Sequence, residues 1–60
     1  MNNKKIYDLK LIKTKLNAVM VLIEEVQNLL EDFPQVETSY LMDALEDLEQ
    51  QYYEIEDIQD

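Results

Sequence analysis

Apolar residues recur along this chain with the period of a helix. Stepping from Leu9 alternately by three and four places reaches Ile12, Leu16, Val19, Ile23, Val26, Leu30 and Phe33, all apolar, which is the spacing that keeps one face of an α-helix hydrophobic. Leu22 and Leu29 lie beside this row, and Met20 and Val21 widen it again. A face this broad exceeds the seam of a two-stranded coiled coil and belongs to a helix with more than one neighbour, as in a four-helix bundle. The second half repeats the pattern with Leu41, Leu45, Leu48, Tyr52 and Ile55, flanked by Met42, Ala44 and Ile58. Asp43, Glu46, Asp47, Glu49, Gln50, Glu54 and Asp57 fall on the other side, as on the solvated face of an amphipathic helix.

Breaker and capping residues are confined to 31–39. The chain has no Gly, and its one Pro is Pro34, which drives the preceding Phe33 out of helical geometry and is itself well tolerated in a first helical turn. The pattern predicts one domain, 1–60, with a helix over about 3–32, a turn over about 33–36 and a helix over about 37–59. The second helix can start at Pro34, with Glu37 near the positive end of its dipole, or a turn later with Thr38 or Ser39 as N-cap; the earlier start is preferred. A short link makes the helices antiparallel neighbours. With the turn centred near residue 35, helices of about 45 Å and 36 Å result at 1.5 Å per residue, and the residues before about position 10 overhang. The expected fold is therefore all-α, a two-helix antiparallel hairpin that dimerises into a four-helix bundle.

Dimerisation is expected because nothing else staples so small a unit. A chain of 60 residues buries only about 60% of the surface its unfolded form exposes. Without Cys there is no disulfide, and without His or Cys there is no structural zinc site, so oligomerisation is the remaining common remedy. The expected oligomer core is Leu9, Ile12, Leu16, Val19, Leu22, Ile23, Val26, Leu29, Leu30 and Phe33 from the first helix, with Leu41, Leu45, Leu48, Tyr52 and Ile55 from the second.

Charge is distributed unevenly. All five Lys, at positions 4, 5, 10, 13 and 15, lie in the first quarter with only Asp8 among them, a net +4; the other 45 residues carry 13 acids and no base, and +4 with −13 recovers the overall −9. An antiparallel hairpin brings Lys10, Lys13 and Lys15 alongside Glu54, Glu56 and Asp57, although each cluster then sits at the unfavourable end of its own helix dipole. The acidic face has two readings: ordinary solubility, and mimicry of a nucleic-acid backbone that blocks a DNA-binding protein. Direct nucleic-acid binding is disfavoured by the negative total and would have to use the Lys-rich end.

In gross plan the chain resembles small plasmid regulators of the Rop type, helical hairpins of similar length that dimerise into a four-helix bundle and bind RNA loops. The resemblance covers architecture alone. No run of residues is shared, so no functional position carries over; what it implies is a nucleic-acid-binding regulator using the Lys-rich end.

The chemistry of enzymes is missing from this alphabet. With no His, Cys or Arg and no Gly-rich loop, there is no triad, phosphate cradle or zinc-bound water to assemble. Glu24 and Glu25 read as solvated flanks of the core run, and no metal or cofactor is expected. Tyr52 falls on the core row. Tyr7, Leu11, Ala18, Val21 and Tyr53 fall off it and, with Asp43, Asp47 and Glu54, make a candidate surface for a partner. The apolar run 16–23 is too short for a membrane span of about 20 residues, and no small-residue cleavage site follows it as a secretory signal requires. The expectation is a cytoplasmic, non-enzymatic regulator or inhibitor, of the kind that phages and other mobile elements encode, partnered by itself and by another protein.

Overall fold

The computed structural model describes residues 3–59, apart from the side chain of Gln59; Met1, Asn2 and Asp60 of the expected 1–60 unit lie outside the described residues. Two helices are joined by a short link. Helix α1 spans Asn3–Leu29 and α2 spans Ser39–Gln59, about 40 Å and 31 Å long at 1.5 Å per residue. They run antiparallel as a hairpin of 49 × 15 × 11 Å. The expectation of an all-α hairpin therefore holds, with no strand among the described residues.

Helix α1 is continuous because nothing in 3–29 breaks it: no Gly, no Pro, and β-branched residues that alternate with Leu, Lys and Glu. Thr14 turns its Oγ1 back to the carbonyl of Lys10 at 3.0 Å, an internal bond that a Thr can make without leaving the helix. Lys4 and Asp8 pair one turn apart at 2.9 Å. The last turn tightens into a 3₁₀ turn, Leu30–Asp32, closed by the Phe33 N–H donating to the Leu30 carbonyl at 2.8 Å. Phe33 leaves helical geometry at φ −128°, ψ 68°, as the residue before a proline must.

The link reverses direction without glycine, since no described residue has positive φ. The Val36 N–H donates to the Phe33 carbonyl at 3.0 Å, a tight turn with Pro34 in its second position, where its fixed φ is favoured. The second helix takes the later of its two possible starts, which corrects the preference for Pro34. Thr38 is the N-cap: its carbonyl accepts from the N–H groups of Leu41 and Met42 at 3.1 and 3.2 Å. Glu37, just outside, accepts the Ser39 N–H at 3.0 Å and so satisfies one of the orphan donors of the first turn. That backbone bond, seconded by the Ser39 hydroxyl, holds the Glu37 carboxyl below the usual glutamate value. Because Pro34–Val36 is spent on the turn, helical geometry cannot begin before it is complete.

The seam between the helices is offset from the row of the periodic reading. On α1 and its 3₁₀ extension the half-buried side chains include Leu9, Lys13, Leu16, Met20, Ile23, Gln27 and Leu30; on α2 they include Leu41, Leu45, Leu48 and Tyr52, with Ile55 the one buried apolar residue among those described. Leu9, Leu16, Ile23 and Leu30 belong to both rows. Between them the seam uses Lys13, Met20 and Gln27, which leaves Ile12, Val19 and Val26 on its outer edge. A single narrow helix covers only about a third of its neighbour's circumference, and α2 takes the half of the broad face that includes the Lys13–Met20–Gln27 line.

Two smaller expectations are also corrected. Ile58 reaches a groove lined with Lys5, Asp8 and Leu9, so the overhang of α1 is shorter than position 10, because the chain leaves α1 at Leu29 and turns back earlier. Lys10, Lys13 and Lys15 do not form ion pairs with Glu54, Glu56 or Asp57 among the described residues. The Lys13 ammonium instead lies 5.4 Å from the centre of the Tyr52 ring, where its stem covers apolar seam and its charge meets the π face.

Candidate interaction surface

What α2 leaves uncovered on α1 is an apolar row broken at one position. Ile12, Val19, Leu22, Val26 and Leu29 follow one another at intervals of seven, three, four and three, the spacing of a helix–helix seam. They are wet: Val19 is 43%, Leu22 59% and Leu29 72% exposed. Lys15 is the polar member of the same row. Leu11 and Ala18, assigned from sequence to a separate partner surface, lie one heptad apart, with Ala18 one turn from Leu22, so they extend this row; both are exposed.

The amount of surface left open is large for the mass. The chain exposes 4977 Å². A compact monomer of 7.2 kDa would expose about 4100 Å² by the usual mass scaling. Its Cα radius of gyration, 14.6 Å, likewise exceeds the ~10 Å of a compact domain of this length.

The rest of the sequence-assigned partner surface divides. Val21 and Tyr53 line one groove on the other side of the hairpin, together with Asn17, Met20, Glu24, Glu49 and Tyr52. Tyr53 stands edge-on to Tyr52, ring centres 6.2 Å apart at 86°, a favourable aromatic geometry. Tyr7 is exposed near the start of α1 and is not among the residues lining that groove. Asp43, Asp47 and Glu54 are exposed on α2, where Glu54 accepts from Gln51 Nε2 at 3.3 Å. Phe33, assigned from sequence to the oligomer core, is half wet at the link of the single hairpin.

Sequence reading missed the seam roles of Lys13 and Gln27, because a polar residue at a seam position hides the pattern. The heptad Lys13–Met20–Gln27 beside Leu9–Leu16–Ile23–Leu30 is the signal that was available. Among the described residues no cluster of acids is arranged to hold a metal ion, and no helix is long and apolar enough to cross a membrane. Fold and surface together define a helical hairpin with an unpartnered apolar face. No protein-family model, curated protein or solved structure matches the chain.

Proposed function

We propose that this chain is a non-enzymatic interaction module of the cytoplasm, a helical hairpin that dimerises into a four-helix assembly and in that form binds and modulates another protein. The observation that carries the reading is the exposed row of Ile12, Val19, Leu22, Val26 and Leu29 on α1. Apolar side chains in seam spacing over five turns are costly to keep in water and are covered by another helical surface. The groove of Val21 and Tyr53 on the other side stays open for the second protein, with the Tyr53 ring as its anchor. An alphabet without His, Cys or Arg supports the non-enzymatic part.

Sedimentation equilibrium across micromolar concentrations tests the first half, with a dimer expected. Affinity capture with the wild-type chain and with a Tyr53→Asp variant tests the second: the wild type should retain a protein that the variant loses. A compact monomer at every concentration, together with identical captures by both chains, would overturn the reading. A second reading, an acidic mimic that blocks a DNA-binding protein, draws on the exposed Asp43, Asp47 and Glu54 of α2 and on the absence of any base after Lys15. It requires competition with DNA that weakens steeply as salt rises.

A further inference from the structure

We infer that the exposed face of α1 is covered by α1 of a second copy, antiparallel to it, about a twofold axis that passes between Met20 and Val21. The inference rests on the interaction-module reading above and fixes which face dimerises, in which direction and in which register. Three observations carry it.

The first is the row itself. Ile12, Lys15, Val19, Leu22, Val26 and Leu29 map onto one another when the helix is reversed: Ile12 falls opposite Leu29, Lys15 opposite Val26, and Val19 opposite Leu22. An isologous interface demands such self-complementarity, since each residue must meet the partner's counterpart in both directions. The row on the same side of α2 lacks it. Tyr40, Asp47, Gln51, Glu54 and Ile58 are spaced along one line of that helix, and polar side chains occupy its middle. The two α1 helices therefore form the centre of the dimer, and the two α2 helices lie outside them.

The second is charge. Residues 3–15 hold five Lys against Asp8, a net +4, and residues 16–32 hold Glu24, Glu25, Glu31 and Asp32 with no base, a net −4. An antiparallel copy lays the positive half of each α1 along the negative half of the other, whereas a parallel copy sets like on like. The change of sign falls in the stretch that contains the axis. Lys15, the polar residue in the row, then lies over Val26 of the second copy, one residue from Glu25.

The third is area. The chain exposes 4977 Å², about 900 Å² beyond a compact monomer of its mass, and a stable interface buries about 800 Å² per partner. The surplus matches one such interface.

The chain has no cysteine of its own, so thiol placement reports the register cleanly. In the proposed dimer positions 12 and 29 of opposite copies adjoin, while the two copies of position 12 lie about 26 Å apart, seventeen residues along the helix. Ile12→Cys/Leu29→Cys should give a covalent dimer on oxidation or with a short bis-thiol linker, and neither single variant should. Efficient linkage of Ile12→Cys alone would mean parallel helices and overturn the proposal. No linkage in any variant, with a wild type that sediments as a dimer, would overturn this face and register and leave the interaction-module reading standing; a wild-type monomer at all concentrations would overturn both. Surface charge variants serve if the cysteine variants fail to fold. Lys15→Glu should raise the dimer dissociation constant about tenfold, since two symmetric contacts change from attraction to repulsion, and Lys15→Glu/Glu25→Lys should restore it. Within one chain these residues are about 15 Å apart, so recovery comes only through the second copy, and its absence would overturn the register.

Discussion

Truncating Ile55 to Ala tests how little holds the hairpin together. Ile55 is 8% exposed and is the one buried apolar side chain among the described residues; its neighbours along the seam are half wet. Removing three carbons from a buried Ile costs about 2–5 kcal/mol, with the lower values where the surroundings can close over the gap. A two-helix layer can close, so about 2–3 kcal/mol is expected here. A domain of 60 residues has in total about 3–9 kcal/mol. The substitution therefore removes about a fifth of the stability or more, which corresponds to a fall in melting temperature of about 10–20 °C for a domain this small. Urea unfolding followed by circular dichroism at 222 nm, repeated at two protein concentrations, measures it, with Leu29→Ala as the control. Leu29 is 72% exposed, so its truncation should change the stability of the single hairpin by less than about 0.5 kcal/mol and act on the concentration dependence instead. Equal unfolding midpoints for Ile55→Ala and wild type, or an equal loss for both variants at both concentrations, would show that the seam is not where the structure puts it.

Further expectations follow from the same seam and link. Ile23→Asp, in the seam, should abolish helicity, because an unpaired charge among apolar side chains costs several kcal/mol, whereas Val19→Asp, outside it, should keep the dichroism of the helices and lose the dimer in sedimentation. Glu37 has its carboxyl lowered by the Ser39 N–H and hydroxyl; a lowered folded value means that its stabilising effect is present above the unfolded value and is lost as pH falls through the folded one. Glu37→Gln should remove that part of the acid sensitivity of the melting temperature and leave the rest of the profile unchanged. The Lys13–Tyr52 contact, with the ammonium 5.4 Å from the ring centre, should give a coupling of about 0.5–1 kcal/mol in a double-mutant cycle with Lys13→Met and Tyr52→Leu; no coupling would mean that Lys13 is held at the seam by its stem alone.

Most of the fold was legible because it is local. Periodicity marked both helices, and Pro34 marked the place where the first must stop. The candidate surface was only partly legible. Leu11 and Ala18 read as one patch with Tyr7, Val21 and Tyr53, yet a difference of a few tens of degrees around α1 puts the first pair on one side of the hairpin and Val21 on the other. Periodicity gives the order of side chains around a helix and does not say from which direction the second helix arrives.

Residue order alone determined the two helices, the glycine-free reversal between them and the split of charge along α1, since each depends on neighbours within a few turns. Tertiary structure decided the rest. It selected Ser39 as the start of α2, because the turn at Pro34 and the Glu37 cap must be completed before helical bonding can begin. It also chose which half of the broad face to bury: α2 settles over Leu9, Lys13, Leu16, Met20, Ile23, Gln27 and Leu30. One helix is too narrow to cover a face wider than its own contact, and the docking direction therefore decides that Ile12, Val19, Leu22, Val26 and Leu29 remain at the surface.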